Sequence, residues 1–270
     1  MNKSRKGRRN CWMRRTLIFI FLIFNFLIAQ NGRIVYEGEG IFSFEELTVE
    51  CWIRFKFDPE EKTEKIRIPK GNILQFESID RKTSFSISCG LRTGKKGKED
   101  SSAFIRIAFV IDGKKVPHPV YLDCKNWKNE WHHLAICWKE GKNIVVFVDG
   151  NEVINYSFLE RMQKDIFGKS NIIIGTPTNW HYENLVEVDE IRISSIARDK
   201  GSLLIYAEES VDPYVLFYEN FDNIEKEGNL IFTVPYISNI ENKKRYEIIG
   251  GEIIDGKIGK GFSFIKKETR

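Results

Sequence analysis

Between Leu47 and Phe57 every second residue is apolar: Leu47, Val49, Cys51, Ile53, Phe55 and Phe57 alternate with Thr48, Glu50, Trp52, Arg54 and Lys56. A repeat of two puts those side chains on one face of an extended strand, and a helix with a period near 3.6 cannot gather them. The other face is mostly polar and carries Trp52. Runs of the same kind follow at Asn72 to Phe76, Ser84 to Cys89, Ala103 to Ile111, Trp131 to Trp138, Ile144 to Val148, Glu152 to Phe158, Asn171 to Ile174 and Leu185 to Ile193. Turns rich in Gly, Asn, Asp and Lys separate them. Many short strands without alternating helices predict an all-β sandwich or barrel. Only Leu159 to Ile166 and Ser194 to Tyr206 read as short helices. Asp149-Gly150 supplies the positive φ angles of a tight hairpin, a structural role for Asp149. The glycine-broken basic run Arg92 to Lys98 reads as a solvated loop tip.

The chain opens differently. Lys3, Arg5, Lys6, Arg8, Arg9, Arg14 and Arg15 precede an apolar run from Thr16 to Ala29, and no acidic residue occurs before position 30. This run has 14 residues, and a helix that spans a bilayer needs about 20, so residues 1–29 read as a secretory signal cut after Ala29. Leu27 stands where a cleavage site prefers a small residue, which leaves an uncleaved N-terminal anchor as the alternative. Both predict export to the extracellular space, the cell surface or the periplasm. Beyond the leader, 35 basic residues face 38 acidic ones, a net charge of −3. A weakly acidic body with dispersed cations argues against nucleic acid as a partner.

Cys51, Cys89, Cys124 and Cys137 remain after the leader. Four cysteines in an oxidising compartment allow three full pairings, and buried thiols are the other reading. No CxxC or CxH pair suggests zinc. Trp52, Trp131 and Trp138 are expected between the two sheets. His132 and His133 are neighbours on one strand and face opposite ways, so they cannot share a ligand.

Three ordered segments carry a resemblance: Phe44 to Ile53 (FEELTVECWI), Trp131 to Trp138 (WHHLAICW) with Val146 to Gly150 (VFVDG), and Ile172 to Gly175 (IIIG) with Val188 to Ser194 (VDEIRIS). Together they resemble a laminin G-like, pentraxin-like domain of the concanavalin A-like lectin/glucanase superfamily. The resemblance covers residues 34–200 and implies a jelly roll of two antiparallel sheets, here placed at residues 30–207. Glycosidases of that superfamily carry Glu-x-Asp-x-Glu on one strand. In this chain Glu187 and Asp189 share a face but Ile191 takes the third place, so the carboxylates needed for retaining hydrolysis are incomplete. No other catalytic motif appears.

The resemblance therefore implies an exported, non-catalytic module that binds a glycan or a surface protein, with calcium as the candidate cofactor and Asp189 its candidate ligand. The residues themselves single out the loop Thr176 to Asn184. Trp180 and Tyr182 can stack on a sugar face, and His181 and Asn184 can bond its hydroxyls. Two alternatives stand beside this: an adhesion or envelope-assembly protein whose jelly roll only displays loops, and a degenerate glycoside hydrolase.

Residues 208–270 add Tyr214 to Asp222 (YVLFYENFD) and Gly256 to Phe264 (GKIGKGFSF), which resemble the opening of another such domain. They are the start of a truncated second repeat or strands that complete the first domain. In the second case Phe217, Phe221, Phe262 and Phe264 are buried.

Overall fold

The computed structural model describes residues 32–41, 45–56, 71–92, 102–111, 114–115, 119–124, 126–141, 143–157, 169–175, 186–206, 210–238 and 244–264. Twelve strands precede the tail: β1 (Arg33–Ile41), β2 (Leu47–Phe55), β3 (Gly71–Ser78), β4 (Ser84–Arg92), β5 (Ser102–Ile111), β6 (Lys114–Lys115), β7 (Val120–Asp123), β8 (Trp131–Lys139), β9 (Asn143–Val148), β10 (Asn151–Ser157), β11 (Lys169–Gly175) and β12 (Val186–Ser194). The tail adds β13 (Val215–Glu219), β14 (Ile224–Glu227), β15 (Leu230–Thr233), β16 (Tyr236–Ile237), β17 (Tyr246–Ile249), β18 (Glu252–Asp255) and β19 (Lys260–Ser263).

These strands form a jelly-roll sandwich of two antiparallel sheets. Sheet A runs β14-β15-β17-β1-β11-β3-β4-β5-β6, with β7 also on β5. Sheet B runs β10-β9-β8-β2-β12-β13-β16. The alternation in β2 sets the layers. Leu47, Val49, Cys51, Ile53 and Phe55 face the core shared with Ile34, Phe76, Ile87, Ile174 and Ile193. Thr48, Glu50, Trp52 and Arg54 form the outer face of sheet B.

The tail completes both sheets at one side. β17 pairs with β1. The free edge of β12 is shared, with β19 on Glu187–Val188 and β13 on Ile191–Ser194. Phe217, Phe221, Phe262 and Phe264 are all at most 1% exposed. Each such side chain removes enough apolar surface from water to contribute about 2–3 kcal/mol.

Three expectations change. Ser194 to Tyr206 is not an α-helix. Strand β12 continues through Ser194 and a single 3₁₀ turn follows at Lys200–Ser202, with the Asp199 side chain accepting from the Ser202 amide. This stretch crosses the outer face of sheet B as a strap. Leu203 and Ile205 cover Ala135, Cys137, Val145 and Phe147, a second apolar cluster outside the main core. Trp138 lies in the main core as expected, but Trp52 and Trp131 do not. Their strand parity places them on the outer face, where Trp52 stands opposite His133 and Trp131 opposite Arg54. Of the two readings of Cys51, Cys89, Cys124 and Cys137, the structure has buried thiols, and burial pushes all four above the ordinary thiol range, Cys89 and Cys137 up to about 12. The segments Leu159 to Ile166 and 93–98 lie outside the described residues.

Candidate functional site

The strap divides the outer face of sheet B. Under it, Arg192 reaches Glu50 through Nε at 2.9 Å and Nη2 at 2.6 Å, both side chains being fully buried. The Leu204 amide donates to the other Glu50 oxygen at 2.7 Å, and Arg192 also donates to the Ser202 carbonyl. Arg198 bonds Ser194 Oγ and Asp212, and its amide donates to Thr48 Oγ1. Every charge here has a partner. This half is a lock that fastens the strap.

Beyond the strap the face opens toward one rim. There Arg54 Nε donates to Glu187 at 2.5 Å while its guanidinium lies 4.5 Å above the centre of the Trp131 ring. Trp131 is half-buried and Arg54 keeps 22% of its side chain in water. One step inward, Lys257 Nζ sits 4.7 Å above Trp52, whose ring meets His133 edge-on. His133 Nε2 is 3.3 Å from Glu50 Oε2 with both side chains fully buried. His132 faces the other way and stacks on Trp127 at 4.5 Å, its Nδ1 2.8 Å from Asp149. Asp149 itself forms the β9–β10 turn at φ +49° and accepts the His133 amide, a structural role.

Between these halves lies a bulge in β12. Glu190 has φ +50°, which turns its side chain to the Tyr218 hydroxyl. Asp189 Oδ1 accepts the Glu190 amide at 2.8 Å, and Oδ2 accepts the Lys257 and Ile258 amides at 2.7 and 3.0 Å. Burial pushes Asp189 up to about 7 despite these donors. Asp222 holds the same turn from its other end through the Lys260 amide at 2.8 Å. A Cβ on Gly256 would stand 2.4 Å from Asp189 Oδ2, and one on Gly259 2.3 Å from Asp222 Oδ1. The two glycines let the turn press its amides onto two carboxylates.

This arrangement does not fit calcium at Asp189. A calcium ion needs oxygens with free lone pairs that point into one cavity. Asp189 instead faces three N–H donors, an anion-binding surround, and the described residues contain no metal-holding group of His, Cys, Asp and Glu. Sequence reasoning missed this role because the partners are main-chain amides 68 and 69 positions downstream. The only signal was the pair of glycines in Gly256-Lys257-Ile258-Gly259.

Trp180, His181, Tyr182 and Asn184 lie outside the described residues, but the strands they join do not. Gly175 ends β11 opposite Arg33, and Val186 begins β12 opposite Phe55. The Gly32 amide donates to Phe264, whose amide donates to Val186, tying both sheets at this rim. Phe55 and Val186 end their paired strands beside Arg54 and Glu187, and residues 57–70 and 176–185 lie outside the described residues.

No family model matches the chain, and no curated protein matches it. Among solved structures, a heptameric SAP-like pentraxin from Limulus polyphemus shares 10% identity at a TM-score of 0.41, over 66% of this chain and 81% of that one. The enzymatically active domain of tailspike protein 2 from bacteriophage CBA120 shares 13% at 0.47, over 70% of this chain and 28% of that one. The binding domain of botulinum neurotoxin serotype D shares 14% at 0.45, over 77% and 51%.

Proposed function

We propose that this chain is an exported, non-catalytic module of the laminin G-like kind that binds a glycan or a surface protein at the rim and the adjoining open half of sheet B. One observation carries the reading: both acids that share the open face are already engaged. Glu187 is paired with Arg54, and Asp189 with three amides. Hydrolysis with retention needs one carboxyl as nucleophile and another as proton donor, both directed at a sugar. Here the carboxylates hold the protein together, and partly exposed Trp131 and Arg54 are left to meet a ligand. Rim segments mounted on a rigid sandwich are where binding residues gather, which favours Trp180, His181, Tyr182 and Asn184 as further contacts.

The test is retention of the chain on a panel of immobilised polysaccharides, with calcium and with chelator. Binding that survives chelator and is lost in both Trp131→Ala and Trp180→Ala supports the reading. Sugar release that Glu187→Gln and Asp189→Asn abolish replaces it with a hydrolase. No retention on any polysaccharide leaves the jelly roll as a display scaffold and sinks glycan recognition.

A further inference from the structure

A sugar that stacks on tryptophan needs a bare ring face, and on the open half of sheet B each indole carries a cation over one face. Arg54 lies over Trp131 at 4.5 Å and Lys257 over Trp52 at 4.7 Å. Trp52 and Arg54 are same-face neighbours on β2, so the two aromatic seats lie about 7 Å apart along the strand. What these seats offer to solvent is a pair of cations rather than a pair of rings.

We propose that the open half of sheet B binds a polysaccharide bearing carboxylate or sulfate groups, with Arg54 and Lys257 as its anion contacts. This rests on the glycan-binding reading above and narrows it to an acidic polymer. Three observations support it. Glu187 pairs with Arg54 through the Nε edge alone and leaves its Nη donors open, and Asp189 is turned into the amides of the Gly256 to Lys260 turn. Lys257 is exposed and pairs with no described carboxylate. Each cation is also pre-positioned. A long side chain that already rests on a ring loses less rotamer freedom when an anion arrives, and its charge is partly stripped of water. Arg54 further keeps two Nη groups in the fork geometry that suits a carboxylate or sulfate. Lys257 is set in place by Asp189, which fixes the neighbouring amides, so the tail supplies half of the site.

The experiment measures retention of the full chain on dextran, dextran sulfate and polygalacturonate at low and raised salt. Dextran and dextran sulfate share a backbone, so their difference isolates charge, and the sulfate and uronate arms separate the two anion chemistries. The expected result is retention on one or both acidic polymers, at least tenfold weaker at raised salt. Arg54→Ala and Lys257→Ala should each weaken it about five- to tenfold, and Lys257→Arg should restore most of it. Lys82→Ala, in the β3–β4 turn at the other end of the sandwich, should leave it unchanged. Equal retention on dextran and dextran sulfate overturns the acidic-polymer inference while leaving glycan binding intact. An equal loss with Lys82→Ala shows diffuse charge attraction and overturns the site. Retention on none of the three, together with none on the wider panel, removes the glycan reading itself.

Discussion

The two halves of the outer face of sheet B are built on the same strands with the same alternation, yet they do different work. Under the strap, Thr48 and Glu50 of β2 meet Arg192, Ser194 and Arg198 in full burial. Past the strap, Trp52 and Arg54 of the same strand meet Trp131, Glu187 and Lys257 with water in reach. What separates them is not strand pattern but cover, supplied by Leu203 and Ile205. A polar sheet face becomes a lock where it is roofed and stays open to solvent where it is not.

The largest effect should come from breaking the lock. Glu50→Ala leaves Arg192 charged, buried and unpaired, which typically costs about 3–5 kcal/mol. Urea denaturation at neutral pH would read it. A loss under 1 kcal/mol would mean that the roofed half is not the stabilising one.

Next comes pH. Glu219 is 1% exposed, and it accepts from Tyr36, Thr233 and the Phe221 amide. Burial raises its carboxyl to about 7 from an unfolded value near 4.5, and Asp189 is raised to about 7 as well. The folded state therefore holds these protons more tightly than the unfolded one. That contribution is fully present below the unfolded values and is lost as pH rises through about 7. Stability should fall between pH 5 and pH 8, by up to about 3 kcal/mol for Glu219 alone. Glu219→Gln should flatten the profile. An unchanged profile in that variant would remove Glu219 as the cause.

The clasp between the halves is the next test. Asp189→Ala removes the acceptor for three amides, two of which can turn to water, so a cost of about 1–3 kcal/mol is expected. Gly256→Ala should cost a similar amount by pushing the turn off Asp189. If each variant destabilises but the double variant adds little more, the two belong to one contact. Full additivity would separate them.

Much of this fold was legible in the sequence, because alternation reports which face of a strand meets a core. Each run named from alternation falls on a strand over nearly all of its described residues. The strap was misread because Leu203 and Ile205 bury themselves without a helix, by lying on Ala135, Cys137, Val145 and Phe147, an apolar patch on the outer face whose cover alternation does not name. The outer tryptophans were misplaced although the parity of Trp52 with Glu50 and Arg54 already put it on the polar side. For Asp189 the loss of legibility was deeper. A carboxylate that serves backbone amides leaves no matching residue type elsewhere, and its partner turn reads like the start of a separate unit. The tail motifs Phe221-Asp222 and Gly256 to Phe264 describe edge strands, and their sequence does not say which strand edge they cover.

The smallest stability effect is also the one that separates the two halves best. Trp131→Ala and Arg54→Ala each remove a partly exposed cation–π contact, and Arg54→Ala also removes an ion pair whose arginine is 22% exposed. Such contacts contribute roughly 0.5–1 kcal/mol each in the presence of water. Glu187 is only 7% exposed, so Arg54→Ala should cost somewhat more than Trp131→Ala by leaving that carboxylate unpaired. Both should unfold within about 2 kcal/mol of the parent in urea, well short of Glu50→Ala, and both should lose retention on the polymer that binds the parent. The contrast is one of kind: on the roofed half, substitution costs folding and spares recognition in whatever still folds, and on the open half it costs recognition and spares folding. An Arg54→Ala protein that unfolds as readily as Glu50→Ala would show that the open half is a second lock, and the case for a binding surface there would go with it.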